Sequence, residues 1–191
     1  MSIKPRGNNR LSPEYVLLGF LYRSPCHGYE LHQRLMNEFG NIWHASQSQT
    51  YNILKRLEAQ GIVQATFIEQ VKLPSRQQLR LTPLGAERFE AWLAQPTKPS
   101  VHALRVEFIT RLYFTRQYYP ERIKPMVDDQ MEVVKAGLAE LDEQLAKISD
   151  PLSVEWLAVQ LRQELLSSVV RWLDKCYQVS FVKPGGECGD A

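Results

Sequence analysis

Val127, Met131, Val134, Leu138, Leu141, Leu145 and Ile148 follow one another at intervals of 4, 3, 4, 3, 4 and 3 residues. Apolar side chains at that spacing form a narrow seam along one side of an α-helix, and the seam is stable only when another helix lies along it. The rear of the chain is therefore committed to helix-on-helix packing. Asp150 and Pro151 end this segment, and a further helix is predicted from about Ser153 to Phe181. It places Leu157, Leu161, Leu165, Val169, Trp172, Cys176 and Val179 on one side, while Leu166, Val170, Leu173 and Tyr177 widen the apolar surface. One helical partner cannot cover so broad a face, so dimerisation is expected to use the seam together with Leu161, Leu165 and Trp172. The spacing leaves open whether the seam closes within one chain or between two. A preceding helix, Val101 to Tyr118, carries Val101, Leu104, Phe108 and Leu112 inward with Ile109 and Tyr113 beside them, and Pro120 closes it.

The front of the chain has a different grammar. Ser12 before Pro13 is a helix-start signal, since the serine can cap and proline fits a first turn that needs no N–H. The helix that follows turns Val16, Leu17, Phe20 and Leu21 inward. Gly28 opens a second helix with Leu31, Leu35 and Phe39 at i, i+4 and i+8. A third runs from the polar stretch Ser46, Gln47, Ser48, Gln49, Thr50 into Tyr51, Ile53, Leu54 and Leu57, with Gly61 as its stop. Ile62 to Ile68 and Gln78 to Leu81 read as strands around a polar loop, Glu69 to Gln77, and Thr82-Pro83 starts a helix through Leu84, Phe89, Trp92 and Leu93. Helix, helix, helix, strand, loop, strand, helix is the order of a winged helix-turn-helix. The expected fold is mainly α with a small β-hairpin: a winged helix-turn-helix domain over 1–98, a helical, antiparallel coiled-coil-like dimerisation domain over 99–183, and a flexible tail over 184–191.

Charge separates along the same line. Residues 1–98 carry 12 Lys and Arg against 7 Asp and Glu, and residues 99–191 carry 11 against 14. A basic front half suits a module that meets phosphates, and an acidic rear half would be repelled from them. A helix enters a major groove best when its first turns carry small polar side chains with cations nearby. Ser46, Gln47, Ser48, Gln49, Thr50, Tyr51, Asn52 and Lys55 meet that description, although Ser46 or Ser48 serves equally well as a helix cap. Lys72 and Arg76 in the hairpin loop suit a wing lying along the sugar-phosphate backbone, because Glu69 is the only acid there. Lys4, Arg6 and Arg10 read either as a basic arm or as a loose tail.

Gly28-Tyr29-Glu30-Leu31, then Tyr51, Leu54, Arg56-Leu57-Glu58 and Gly61, then Leu81-Thr82 and Gly85, together resemble the landmarks of PadR-type regulators over roughly residues 12–95. Trp43-His44-Ala45-Ser46 with Gln49-Thr50-Tyr51 looks closer to the subgroup of virulence-gene activators with a long helical rear domain. The resemblance implies a homodimer whose rear helices embrace, a recognition helix from about Ser46 to Gln60, and a wing from Glu69 to Gln77. Some relatives respond to small aromatic ligands, and Trp92, Phe108, Tyr113 and Trp156 are the residues here that would line such a site, although their spacing also fits ordinary core. Two positions depart from the pattern: many members have proline where Asn52 stands and an aromatic residue where Leu79 stands.

Other functions lack parts. There is no Gly-rich phosphate loop, nucleophile elbow or HExxH, so an enzyme is not expected. Cys26, Cys176 and Cys188 are odd in number and far apart, and His27, His32, His44 and His102 have no ligand spacing, so neither disulfides, a metal nor a cofactor is expected. The longest apolar runs fall far short of the roughly 20 residues that span a bilayer, and no signal-peptide pattern opens the chain, which points to the cytoplasm. The expected function is a sequence-specific regulator acting as a homodimer on a pseudo-palindromic operator, with a small aromatic effector as a candidate further partner. The alternatives are a winged helix used for protein contact or, further off, a ligand-binding enzyme.

Overall fold

A computed structural model describes residues 11–68 and 76–177. The chain divides into two compact units, residues 1–92 and 93–191. In the front unit, α1 (Glu14–Arg23) and α2 (Gly28–Phe39) flank a two-residue strand, β1 (Cys26–His27). α3 (Gln47–Ala59), the hairpin β2 (Val63–Ile68) and β3 (Arg76–Leu81), and α4 (Pro83–Leu93) complete it. The three strands form an antiparallel sheet in the order β1-β3-β2, with Val63 opposite Leu81 and Cys26 opposite Leu79. β1 has no counterpart in the sequence pattern, because two residues are too few to show an alternation.

The helices form where the apolar spacing placed them. Val16, Leu17, Leu18 and Phe20 of α1, Leu31, Leu35 and Phe39 of α2, and Leu54 and Leu57 of α3 are buried together with Val63, Leu79 and Phe89. Leu79 fills the position where relatives often have an aromatic residue, and it does so as core. The polar bond that joins the helices has no signature in the sequence. The carboxylate of Glu14 is buried and receives hydrogen bonds from both Arg56 of α3 and Arg88 of α4. Its partners lie 42 and 74 residues away, a separation at which no local pattern can point to them.

The rear unit is helical among the described residues. Val101–Tyr118 is one helical stretch whose residues Leu104–Phe108 widen into a π-helical turn, flanked by α5 (Val101–Ala103) and α6 (Ile109–Tyr118). α7 (Ile123–Lys147) and α8 (Val154–Cys176) are long and antiparallel: Tyr177 donates to Asp128 at one end, and Gln163 donates to Asp142 at 2.8 Å further along. Asp150 and Ser153 make the turn between them, with the Ser153 hydroxyl accepting from Trp156 N.

The antiparallel pair resolves the question that the seam left open. Val127, Met131, Val134 and Leu141 are buried against Val159, Leu166, Leu173 and Cys176 of the same chain, with Leu138, Leu145, Ile148 and Trp172 packed at the margin. The seam therefore closes inside one chain, which corrects its assignment to dimerisation. Leu157, Leu161 and Leu165 are instead 46–58% exposed, forming an outer stripe with Val154 at its start. Val179 and the residues beyond it, the predicted tail included, lie outside the described residues.

Removing Glu14 would leave two guanidinium groups facing each other. Because both keep access to solvent, Glu14→Ala is expected to destabilise the chain by about 1–3 kcal/mol rather than the full cost of a buried unpaired charge. Urea unfolding monitored by tryptophan fluorescence gives the value.

Candidate nucleic-acid interface

α3 follows α2 through residues 40–46, so the two make the helix-turn-helix. Its first turn is closed by a reciprocal cap: Gln49 N donates to Ser46 Oγ at 3.2 Å, and Ser46 N donates to Gln49 Oε1 at 2.8 Å. The S-x-x-Q spacing is the sequence signal for this box. Ser46 and Gln49 are exposed, but part of their hydrogen-bonding capacity is spent on the helix. Thr50 must be removed from the probing face. It is fully buried, its hydroxyl donates to Ser46 O, and His32 of α2 meets the same hydroxyl at 3.0 Å. His32 thus ties α2 to the start of α3, a role that its place in the sequence does not reveal.

Gln47, Ser48, Tyr51, Asn52 and Lys55 are exposed on the outer side of α3, and no acidic residue stands in its first turn. Tyr51 is 41% exposed, with one side of its ring against α2. A Cβ built on Gly28 would come within 3.0 Å of the Tyr51 ring, so the glycine at the start of α2 makes a seat on which the ring rests. Asn52, at the position where relatives often have proline, sits inside an unbroken helix.

The remaining landmarks are structural. Glu30 accepts from His27 N at 3.1 Å and from Cys26 Sγ at 3.2 Å, which fastens α2 to β1. Arg56 is held by Glu14. Gly61, with φ +69, makes the left-handed turn that ends α3. The Thr82 hydroxyl donates to Gly61 O at 2.7 Å and accepts from Gly85 N at 3.1 Å. A Cβ on Gly85 would fall 2.2 Å from Ile62 O, so α4 can lie against the hairpin base only with glycine there.

On β3, Arg80 is exposed and donates to Gln64 at 2.9 Å. Lys72 and most of the predicted wing loop lie outside the described residues, as do Lys4, Arg6, Arg10 and Cys188; of Arg76 only the backbone is described, at the start of β3. The four aromatic residues assigned to an effector divide between the units. Trp92 of the front unit is buried and stacks on Tyr15 at 4.4 Å. In the rear unit Phe108 is buried with its ring edge to Trp172, Tyr113 packs edge-on against Phe114, and Trp156 is half-buried at the start of α8. The two cysteines described offer no reactive thiolate: burial, aided by Glu30, pushes Cys26 up to about 12, and burial pushes Cys176 up to about 11. No helix described is long and apolar enough to cross a membrane.

A helix-turn-helix with an adjoining antiparallel hairpin, presenting an exposed polar face on its second helix, defines the class: a winged-helix DNA-binding transcriptional regulator. The model of the transcriptional regulator PadR-like family matches residues 17–91 of this chain. It is 26% identical over 171 residues to the negative transcriptional regulator PadR of Bacillus subtilis, spanning 84% of this chain and 93% of that protein. A probable transcriptional regulator of Mycobacterium tuberculosis is 28% identical over 86 residues, covering 45% of this chain and 46% of that one. Among solved structures, Bacillus subtilis PadR in complex with operator DNA aligns with 24% identity over 87% of this chain and 98% of that one, with a TM-score of 0.41. The same protein in complex with p-coumaric acid aligns with 26% identity over 88% and 98%, with a TM-score of 0.38.

If Gly28 positions Tyr51, Gly28→Ala and Tyr51→Ala should each weaken specific DNA binding by about 1–3 kcal/mol, and the double variant should lose less than the sum. Fluorescence anisotropy with a labelled duplex measures the cycle.

Proposed function

We propose that this chain is a cytoplasmic, non-catalytic regulator that binds operator DNA as a homodimer, each protomer placing the outer face of α3 in a major groove. The observation that supports this most is the division of α3 into two faces. Thr50, Leu54 and Leu57 fix one face in the core, while Gln47, Ser48, Tyr51, Asn52 and Lys55 stand exposed on the other. Ser46 and Gln49 contribute what their capping bonds leave over, which includes the donor amide of Gln49. Glutamine and asparagine amides pair well with adenine edges, and a stiff tyrosine reaches a base or phosphate at low entropic cost. The similarity to the negative transcriptional regulator PadR of Bacillus subtilis supports DNA as the partner.

Pairing of protomers is assigned to the stripe of Leu157, Leu161 and Leu165, because the α7 seam is already covered. Two α3 helices about one duplex turn apart, roughly 34 Å, would then read a pseudo-palindrome. Lys72 and Arg76 are proposed as wing contacts to phosphate. A small aromatic effector belongs to the same reading, and p-coumaric acid, bound in one of the PadR structures above, is the first probe for it.

Enrichment of bound duplexes from a random library tests the reading as a whole, and recovery of no common sequence would overturn it. Replacing both Lys72 and Arg76 with alanine should weaken binding to all sequences, and flatten the salt dependence by roughly one log unit for each phosphate no longer neutralised. An unaltered slope would remove the wing from the interface. Leu161→Asp should leave the helical content intact and shift sedimentation to the monomer, whereas Val134→Asp, at a fully buried seam position, should unfold the rear unit.

A further inference from the structure

Residues 94–100 join α4 to α5 without regular structure, and a connection of that kind is ordinarily solvated. Thr97, in its middle, is instead only 1% exposed. The side-chain amide of Gln130 on α7 pairs with its backbone in both directions: Thr97 N donates to Gln130 Oε1 at 2.7 Å, and Gln130 Nε2 donates to Thr97 O at 2.8 Å. Arg111 of α6 donates to the Thr97 hydroxyl. Gln130 itself is 0% exposed and Arg111 4% exposed. Two residues further on, Pro99 lies over Gly137 of α7, where an added Cβ would stand 2.6 Å from the proline Cβ.

A buried glutamine is costly in a helix whose neighbouring positions are apolar, unless its amide is satisfied. Here both ends of that amide are spent on a single residue of the connection. Between α4 and Thr97, Ala94, Gln95 and Pro96 are all exposed. At 3.3–3.6 Å per residue, the four steps from Leu93 to Thr97 reach no more than about 14 Å.

We propose that Gln130, with Arg111 and Gly137, is a positioning residue for DNA recognition: it clamps the connection at Thr97, so that the DNA-binding unit hangs on a short tether from a fixed point and the dimer accepts one half-site spacing. The proposal rests on the operator binding proposed above. A long loose connection would let the two front units reach half-sites over a range of spacings, and the clamp removes that freedom. Gln130 touches no DNA in this account and acts only through the connection.

Gln130→Leu in the full chain keeps the volume of the residue and removes both bonds. Affinity should be measured on duplexes whose two half-sites are moved apart or together, and on a short duplex with a single half-site. Wild type should lose about tenfold or more when the spacer changes by about five base pairs, a shift of roughly 17 Å and half a turn that a tether of about 14 Å cannot follow, and the variant less than about threefold. Affinity for the single half-site should be unchanged, and hydrogen exchange should show the Thr97 amide protected in wild type and open in the variant. Thr97→Val, which removes only the bond to Arg111, should broaden the spacing profile to a lesser degree and decides the matter if Gln130→Leu does not fold. A folded variant with the wild-type spacing profile, or with Thr97 still protected, overturns the clamp while leaving operator binding intact. Wild type that binds no duplex overturns the operator reading first, and the clamp with it.

Discussion

A helix can probe a groove only if it does not yield, and α3 is held against yielding from its inner side. Leu54 and Leu57 are packed among α1, α2 and the sheet, Thr50 is bonded to His32, and Arg56 reaches the buried carboxylate of Glu14, which also holds Arg88. Preorganisation of this kind lowers the ordering cost that would otherwise be subtracted from each contact with DNA. Those exposed residues of α3 that neither cap the helix nor reach Glu14, namely Gln47, Ser48, Asn52 and Lys55, can be polar and varied without disturbing the buried face. Tyr51 is the link between the two faces, since Gly28 supports its ring while leaving it exposed.

The rear unit separates its tasks in a comparable way. α7 gives its apolar seam to α8, so a single chain can build this unit without a partner, and α8 keeps a second leucine stripe for the outside. A chain built so can be tested for association without losing its fold, because substitutions on the outer stripe do not touch the buried layer. The family landmarks of the front unit divide similarly between capping, close approach and core, which explains why so short a set of residues marks the domain.

Periodicity makes most of this readable in advance. The helices of the front unit and the hairpin fall within a few residues of where the pattern puts them, because each helix is amphipathic and glycine or proline marks several boundaries, as Gly61 does after α3 and Pro83 at the start of α4. The face of α3 is readable too, apart from Thr50: a threonine amid serines and glutamines gives no hint that its hydroxyl turns inward to His32. What escapes is non-local. Glu14 finds Arg56 and Arg88 only in three dimensions, β1 is too short to have a pattern, and the choice between pairing within or between chains depends on the short turn from Ile148 to Ser153. Gln130 reads as one more polar residue beside the seam until Thr97 is seen against it. The π-helical turn at Leu104–Phe108 likewise has no sequence signature.

The central claim is that two copies of one rigid polar helix face meet one DNA duplex. Hydroxyl-radical footprinting of the wild-type protein on an enriched duplex tests it most directly. Two equal protected patches on the same side of the DNA, centred about one helical turn apart, are the predicted result. A single patch, or uniform protection that vanishes at moderate salt, would contradict it.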